Sequence, residues 1–111
     1  MNINTKPAIR IRHLLICALV MTASYSLQAE NAAFEKVCQS CHTGGFKGWV
    51  SGAPNVNSKD DWAKFHERDS EADMRDIVLN GLNDHELKGG CSKCSNEEIN
   101  SAIDYILLKT K

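Results

Sequence analysis

The chain reads as all-α: one small domain of four short helices joined by long loops. Three observations predict this. Apolar residues recur at helical spacing in Ile99, Ala102, Ile103, Ile106 and Leu107. Helix-capping pairs, a Ser with an acidic residue three positions on, stand at Ser58/Asp61, Ser70/Asp73 and Ser95/Glu98. No alternating apolar–polar strand run, internal repeat or low-complexity segment occurs.

Taken in order, Phe34 and Val37 lie three apart and predict a short amphipathic first helix from Ala32 and Ala33 onward. Gly44, Gly45, Gly48, Gly52 and Pro54 then give residues 43–58 the composition of a loop turning closely around something. Ser58 opens a second helix through Trp62 and Phe65. Ser70 opens a third through Met74, Ile77 and Val78, which Gly81 ends. Residues 82–94 lack periodicity, with a tight turn at Gly89-Gly90. The fourth helix follows the Ser95 cap and carries Lys109 and Lys111 near the negative end of its dipole.

Ahead of the domain, Lys6, Arg10, Arg12 and His13 precede the ten-residue apolar run Leu14 to Ala23 and then the stretch Ser24-Tyr25-Ser26-Leu27-Gln28-Ala29. That is the pattern of a secretory signal peptide spanning residues 1–29, with cleavage expected before Glu30. A spanning anchor needs about 20 apolar residues, twice this run. A lipoprotein reading of Cys17 is poor, because Ile16 is bulky and little apolar chain precedes it.

The whole chain has 13 basic and 14 acidic residues. With Lys6, Arg10 and Arg12 gone, the domain 30–111 keeps ten basic against fourteen acidic, a net charge of −4. The absence of a basic tract argues against nucleic acid as a partner. No membrane anchor is expected once the signal is cleaved. The 82 residues from Glu30 to Lys111 are marginal for a core of side chains alone, and a buried prosthetic group would fill the deficit.

Cys38-Gln39-Ser40-Cys41-His42 has the C-x-x-C-H spacing at which haem is covalently attached. Two thiols can add across the porphyrin vinyl groups, and the adjacent imidazole then reaches the iron. The other readings of this spacing are a redox dithiol or half a zinc site. A second pair, Cys91-Ser92-Lys93-Cys94, is followed by Ser95 rather than His, so a second haem there would lack its ligand. In an oxidising compartment that pair is expected to form a short disulfide.

A first helix running into C-x-x-C-H, a Gly-rich loop with a Pro and a closing amphipathic helix resemble the class I cytochromes c. Gly81-Leu82-Asn83, Lys88-Gly89 and Cys91-x-x-Cys94-Ser95 are similar to the cytochrome c-5 family, whose second C-x-x-C forms a disulfide. The resemblance runs from Phe34 to about Leu107 and implies a small class I cytochrome c fold, four short helices wrapped around one covalent haem c. It also implies that the carbonyl of Pro54, in Ala53-Pro54-Asn55, accepts a hydrogen bond from His42 and orients it.

The family's sixth ligand is a methionine between the Gly-Leu-Asn and Lys-Gly elements. Aligning those flanks puts His85 there, within Asp84-His85-Glu86, and the usual prolines are missing. The expectation is therefore His42 and His85 as the two axial ligands. Met74, at core spacing in a helix, His66, beside Glu67 and Arg68, or an open site are the competing assignments. Trp62 is a candidate donor to a haem propionate, while Trp49 is expected to pack against the haem ring. Phe34 and Tyr105 are expected to meet where the first and last helices cross.

These readings point to a soluble periplasmic carrier of single electrons, not an enzyme, docking transiently with redox partner proteins. The alternatives are a haem-based sensor or weak peroxidase with a labile sixth site, and a haem-free protein whose cysteine pairs bind zinc or act as thiol redox sites.

Overall fold

The computed structural model describes residues 31–111; the expected signal peptide, its cleavage bond and Cys17 lie outside the described residues. The described chain is helical, without strands. Helix α1 (residues 31–37) leads into α2 (Gln39–His42), followed by α3 (Gly45–Ser51), α4 (Lys59–Arg68), α5 (Glu71–Asn80), a 3₁₀ turn (Leu87–Gly90) and α6 (Asn96–Thr110). None of these helices is long and apolar enough to cross a membrane.

The caps explain where the long helices begin. Ser58 Oγ accepts from the Asp61 amide, and Ser70 with Asp73 and Ser95 with Glu98 form reciprocal capping boxes. Each box satisfies two backbone N–H groups that the helix itself cannot. Gly81 ends α5 in the left-handed region, φ 65°, and a Cβ there would lie 3.2 Å from Leu87.

Helix α6 supplies the core. Its Ala102 and Ile106 pack with Phe34, Val56 and Trp62, while its Ile99, Ile103 and Leu107 pack with Met74 and Cys94. Phe34 and Tyr105 meet where α1 crosses α6, their rings 4.7 Å apart between centroids. Each fully buried aliphatic side chain here contributes about 1.5–3 kcal/mol. The exposed ion pair between Lys36 and Glu98 adds little to that crossing.

One part of the sequence reading is corrected. The glycine-rich segment read as loop contains α3, so the described chain has more than four helices. Gly48 is buried inside α3, and a Cβ on it would stand 2.9 Å from the Cys41 carbonyl oxygen. The glycine therefore admits α2 to close contact with α3 rather than loosening the chain. Helix α3 turns Phe46, Trp49 and Val50 outward, with Trp49 80 % exposed beside Phe46.

Candidate haem site

The C-x-x-C-H motif is the short turn α2. Cys38 caps it, and its carbonyl accepts from the amides of Cys41 and His42 at 3.2 and 3.0 Å. This winding gathers both thiols and the imidazole on five consecutive residues. Cys38 and Cys41 are free thiols, partly buried. Burial, and next the neighbouring Cys41, push the Cys38 thiol up to about 11. At neutral pH it stays protonated and therefore weakly nucleophilic.

The segment after Gly52 clamps His42 twice. Its carbonyl accepts from the Val56 amide at 2.7 Å, and its ring Nδ1 donates to the Pro54 carbonyl at 2.9 Å. A carbonyl can only accept, so the proton sits on Nδ1 and Nε2 keeps its lone pair. Burial holds the His42 pKa below its ordinary value; the Pro54 bond opposes this and the nearby His85 adds to it. The neutral imidazole is the form that binds metal.

Opposite lies His85, half-buried, on the segment between α5 and the 3₁₀ turn. Its ring centroid is 6.3 Å from that of His42, with the planes 17° apart. Its Nδ1 donates to the Glu86 carbonyl at 2.8 Å, so its Nε2 is again the free nitrogen.

The other candidates are placed elsewhere. Met74 is buried in the core with Cys94, Ile99, Ile103 and Leu107. His66 Nε2 pairs with Thr110 Oγ1 at 2.9 Å, tying α4 to the end of α6. Trp62, read as a propionate donor, commits its only N–H to the Asn55 carbonyl at 3.0 Å. Its ring stands 5.6 Å from that of His42 and serves as a wall of the site. Cys91 and Cys94 are bridged, with Cα atoms 5.4 Å apart, and do not share a site with Cys38 and Cys41. Among the described residues no three His, Cys, Asp or Glu side chains converge as a metal-binding cluster.

Do these residues fit a haem? A metal–imidazole bond of about 2.0–2.1 Å, plus roughly 1 Å from nitrogen to ring centre on each side, separates two opposed imidazoles by about 6 Å. The 6.3 Å between His42 and His85 agrees. Both δ-nitrogens are engaged and both ε-nitrogens are available, as axial ligation requires. Two free thiols stand within the same turn as the proximal imidazole. The donor set fits.

Two contributors to the site leave no sign in the residue pattern. The carbonyls of Glu86 and Asn55 hold His85 and Trp62, and a main-chain acceptor leaves no mark on residue type.

No curated protein and no solved structure matches the chain. A family model described as "Cytochrome C oxidase, cbb3-type, subunit III" matches residues 26–106. The match, the helical fold and the haem-attachment turn together place the chain in that family, as a class I c-type cytochrome domain that carries covalently bound haem c and serves electron transfer.

Proposed function

We propose that this protein is a soluble periplasmic carrier of single electrons, with Cys38 and Cys41 as the thioether anchors and His42 and His85 as the axial ligands. Within the cytochromes, its closer kinship is with the cytochrome c-5 type, with His85 replacing the usual methionine. The observation that carries this reading is the approach of two imidazoles to 6.3 Å between ring centroids, each with Nδ1 bonded to a main-chain carbonyl and Nε2 left free.

The chemistry that haem c supplies is a reversible one-electron Fe(III)/Fe(II) couple. The chain decides where that couple sits. A second imidazole is a better donor to Fe(III) than a thioether, so His85 in place of a methionine lowers the potential. The carbonyls of Pro54 and Glu86 hold the two rings in the tautomer that leaves Nε2 for the iron, and they raise its basicity. With both axial positions supplied by protein, the site transfers electrons rather than activating a substrate. The acidic balance of residues 30–111 steers encounters toward basic surfaces of redox partner proteins. Export is supported by the leader pattern of residues 1–29 and by the Cys91–Cys94 bridge, which suits an oxidising compartment.

The test compares ferric and ferrous absorption spectra of the purified protein with those of His85→Ala. Wild type is expected to be low-spin in both states, to lack the weak far-red band of methionine-ligated ferric haem and to bind carbon monoxide only slowly, through the small fraction of molecules with His85 off the iron. His85→Ala is expected to turn high-spin and bind carbon monoxide readily. An unaltered spectrum and potential in His85→Ala would remove His85 from the iron.

A further inference from the structure

The segment that carries His85 has an unusual backbone. Asn83, Asp84 and Lys88 all have positive φ, at 52°, 64° and 51°, and Gly89 and Gly90 continue the left-handed run. Asn and Asp tolerate this region because their short side chains bond locally; lysine has no such compensation and is strained there by about 1 kcal/mol. A glycine at position 88 would relieve the backbone. Lysine gives something glycine does not: its Nζ donates to the Cys94 carbonyl at 3.0 Å.

That bond closes a ring around the second cysteine pair. The Cys91 amide donates to the Lys88 carbonyl at 3.1 Å, the Cys94 amide donates to the Cys91 carbonyl at 3.0 Å, and the Lys88 ammonium returns to Cys94. The disulfide spans the same turn. Its far end is fixed, because Cys94 is buried in the core against α6 and directly precedes the Ser95 cap. The near end reaches His85 through one atom. The Glu86 carbonyl accepts from the Gly89 amide at 2.9 Å and from His85 Nδ1 at 2.8 Å. The direction of the imidazole therefore depends on where the 3₁₀ turn lies.

We infer that Lys88 is a positioning residue for His85: clasped to the Cys94 carbonyl, it anchors to the core the turn whose Glu86 carbonyl aims the distal imidazole. This inference rests on the proposed ligation by His85. Without the clasp, the turn shifts among nearby conformations, and the fraction of molecules with His85 off the iron rises.

The experiment measures the rate of carbon monoxide association with the ferrous, haem-loaded protein. In a six-coordinate site that rate tracks the fraction of molecules whose sixth position is open. Lys88→Met keeps the aliphatic stem and loses the charged donor, and should accelerate association roughly ten- to hundredfold, as loss of a hydrogen bond to a charged group implies. Lys88→Arg, which restores a long cationic donor, should stay within about threefold of wild type. Lys88→Gln, too short to span to Cys94, should behave as Lys88→Met does. Far-UV circular dichroism of each variant should match wild type.

A Lys88→Met protein that melts earlier yet binds carbon monoxide at the wild-type rate would make Lys88 a structural residue only and overturn the inference. Unfolding of both Lys88→Met and Lys88→Gln would overturn it too, since a positioning residue leaves the fold standing. His85→Ala runs in parallel. If it fails to bind carbon monoxide, the fault lies in the ligand assignment itself and not in the clasp.

Discussion

Gly48 stands against Cys41 so closely that the smallest side chain would put carbon 2.9 Å from its carbonyl oxygen. Helix α3 is thereby pressed onto the turn that bears the haem-attachment motif. The contact is backbone to backbone, so no flexible group can yield. Gly48→Ala is expected to cost about 1–3 kcal/mol by overpacking, read as a lower denaturant midpoint. Lys47→Ala on the exposed face should stay within about 0.5 kcal/mol of wild type. Equal stability of the two variants would show that α3 does not bear on α2.

Removing the donor of Trp62 separates packing from ligand contact. Trp62→Phe keeps an aromatic wall beside His42 but leaves the Asn55 carbonyl without its partner. We expect a stability loss of about 1 kcal/mol and an unchanged reduction potential across pH. A potential that changes its pH dependence in Trp62→Phe would return the indole to a propionate.

Ile99 is the most completely enclosed large side chain of the core. Ile99→Ala should destabilise by about 2–5 kcal/mol, whereas Leu108→Ala, on the exposed side of the same helix, should be nearly neutral. Chemical denaturation of the haem-loaded protein monitored at 222 nm checks both. Similar costs at the two positions would contradict the burial pattern of α6.

Acid should weaken the fold through the helix caps. Ser70 holds the Asp73 carboxyl below the usual range, and the Lys36 ammonium together with the Ser95 amide, both donating to its carboxylate, does the same for Glu98. Asp61 is lowered by the Asn55 amide and the Ser58 hydroxyl. A depressed folded-state pKa means that the unfolded chain binds protons first. The stabilisation is therefore complete above the unfolded carboxylate values, about 4, and is lost as pH falls through the lower folded values. Thermal midpoints should be flat from pH 7 to about 5.5 and fall below about 4.5, less steeply in Asp73→Asn. A midpoint that rises on acidification would refute the assignment.

The Cys91–Cys94 bridge closes a very short loop. Cys91→Ala with Cys94→Ala should lose roughly 2 kcal/mol by the chain-entropy estimate. Reduction of the wild-type disulfide, followed by the same denaturation, should give a comparable loss. A variant as stable as wild type would leave the bridge without an energetic role.

Much of the fold was legible because its signals are local. Ser58, Ser70 and Ser95 announce three helices with the acidic residue three positions on, and the spacing of Ile99 to Leu107 announces the face of α6 that is buried. Helix α3 was not legible, since four glycines and a proline in sixteen residues read as a turn; only the three-residue spacing of Phe46 and Trp49 hinted at helix. Of the site, Cys38, Cys41 and His42 are contiguous and readable by spacing. His85 required a flanking alignment, because the 42 residues between it and His42 carry no local trace of the approach. The partner of Trp62 was illegible for a different reason: the sequence names a hydrogen-bond donor without naming its acceptor, and the acceptor in this structure is the main chain of Asn55.

Because both hydrophobic clusters borrow a wall from α6, neither can persist after that helix detaches. The domain is therefore expected to melt as a single cooperative unit despite its two packing centres. Damage to the final turns, where Ile106 serves one cluster and Leu107 the other, propagates to the proximal and distal halves of the electron site alike.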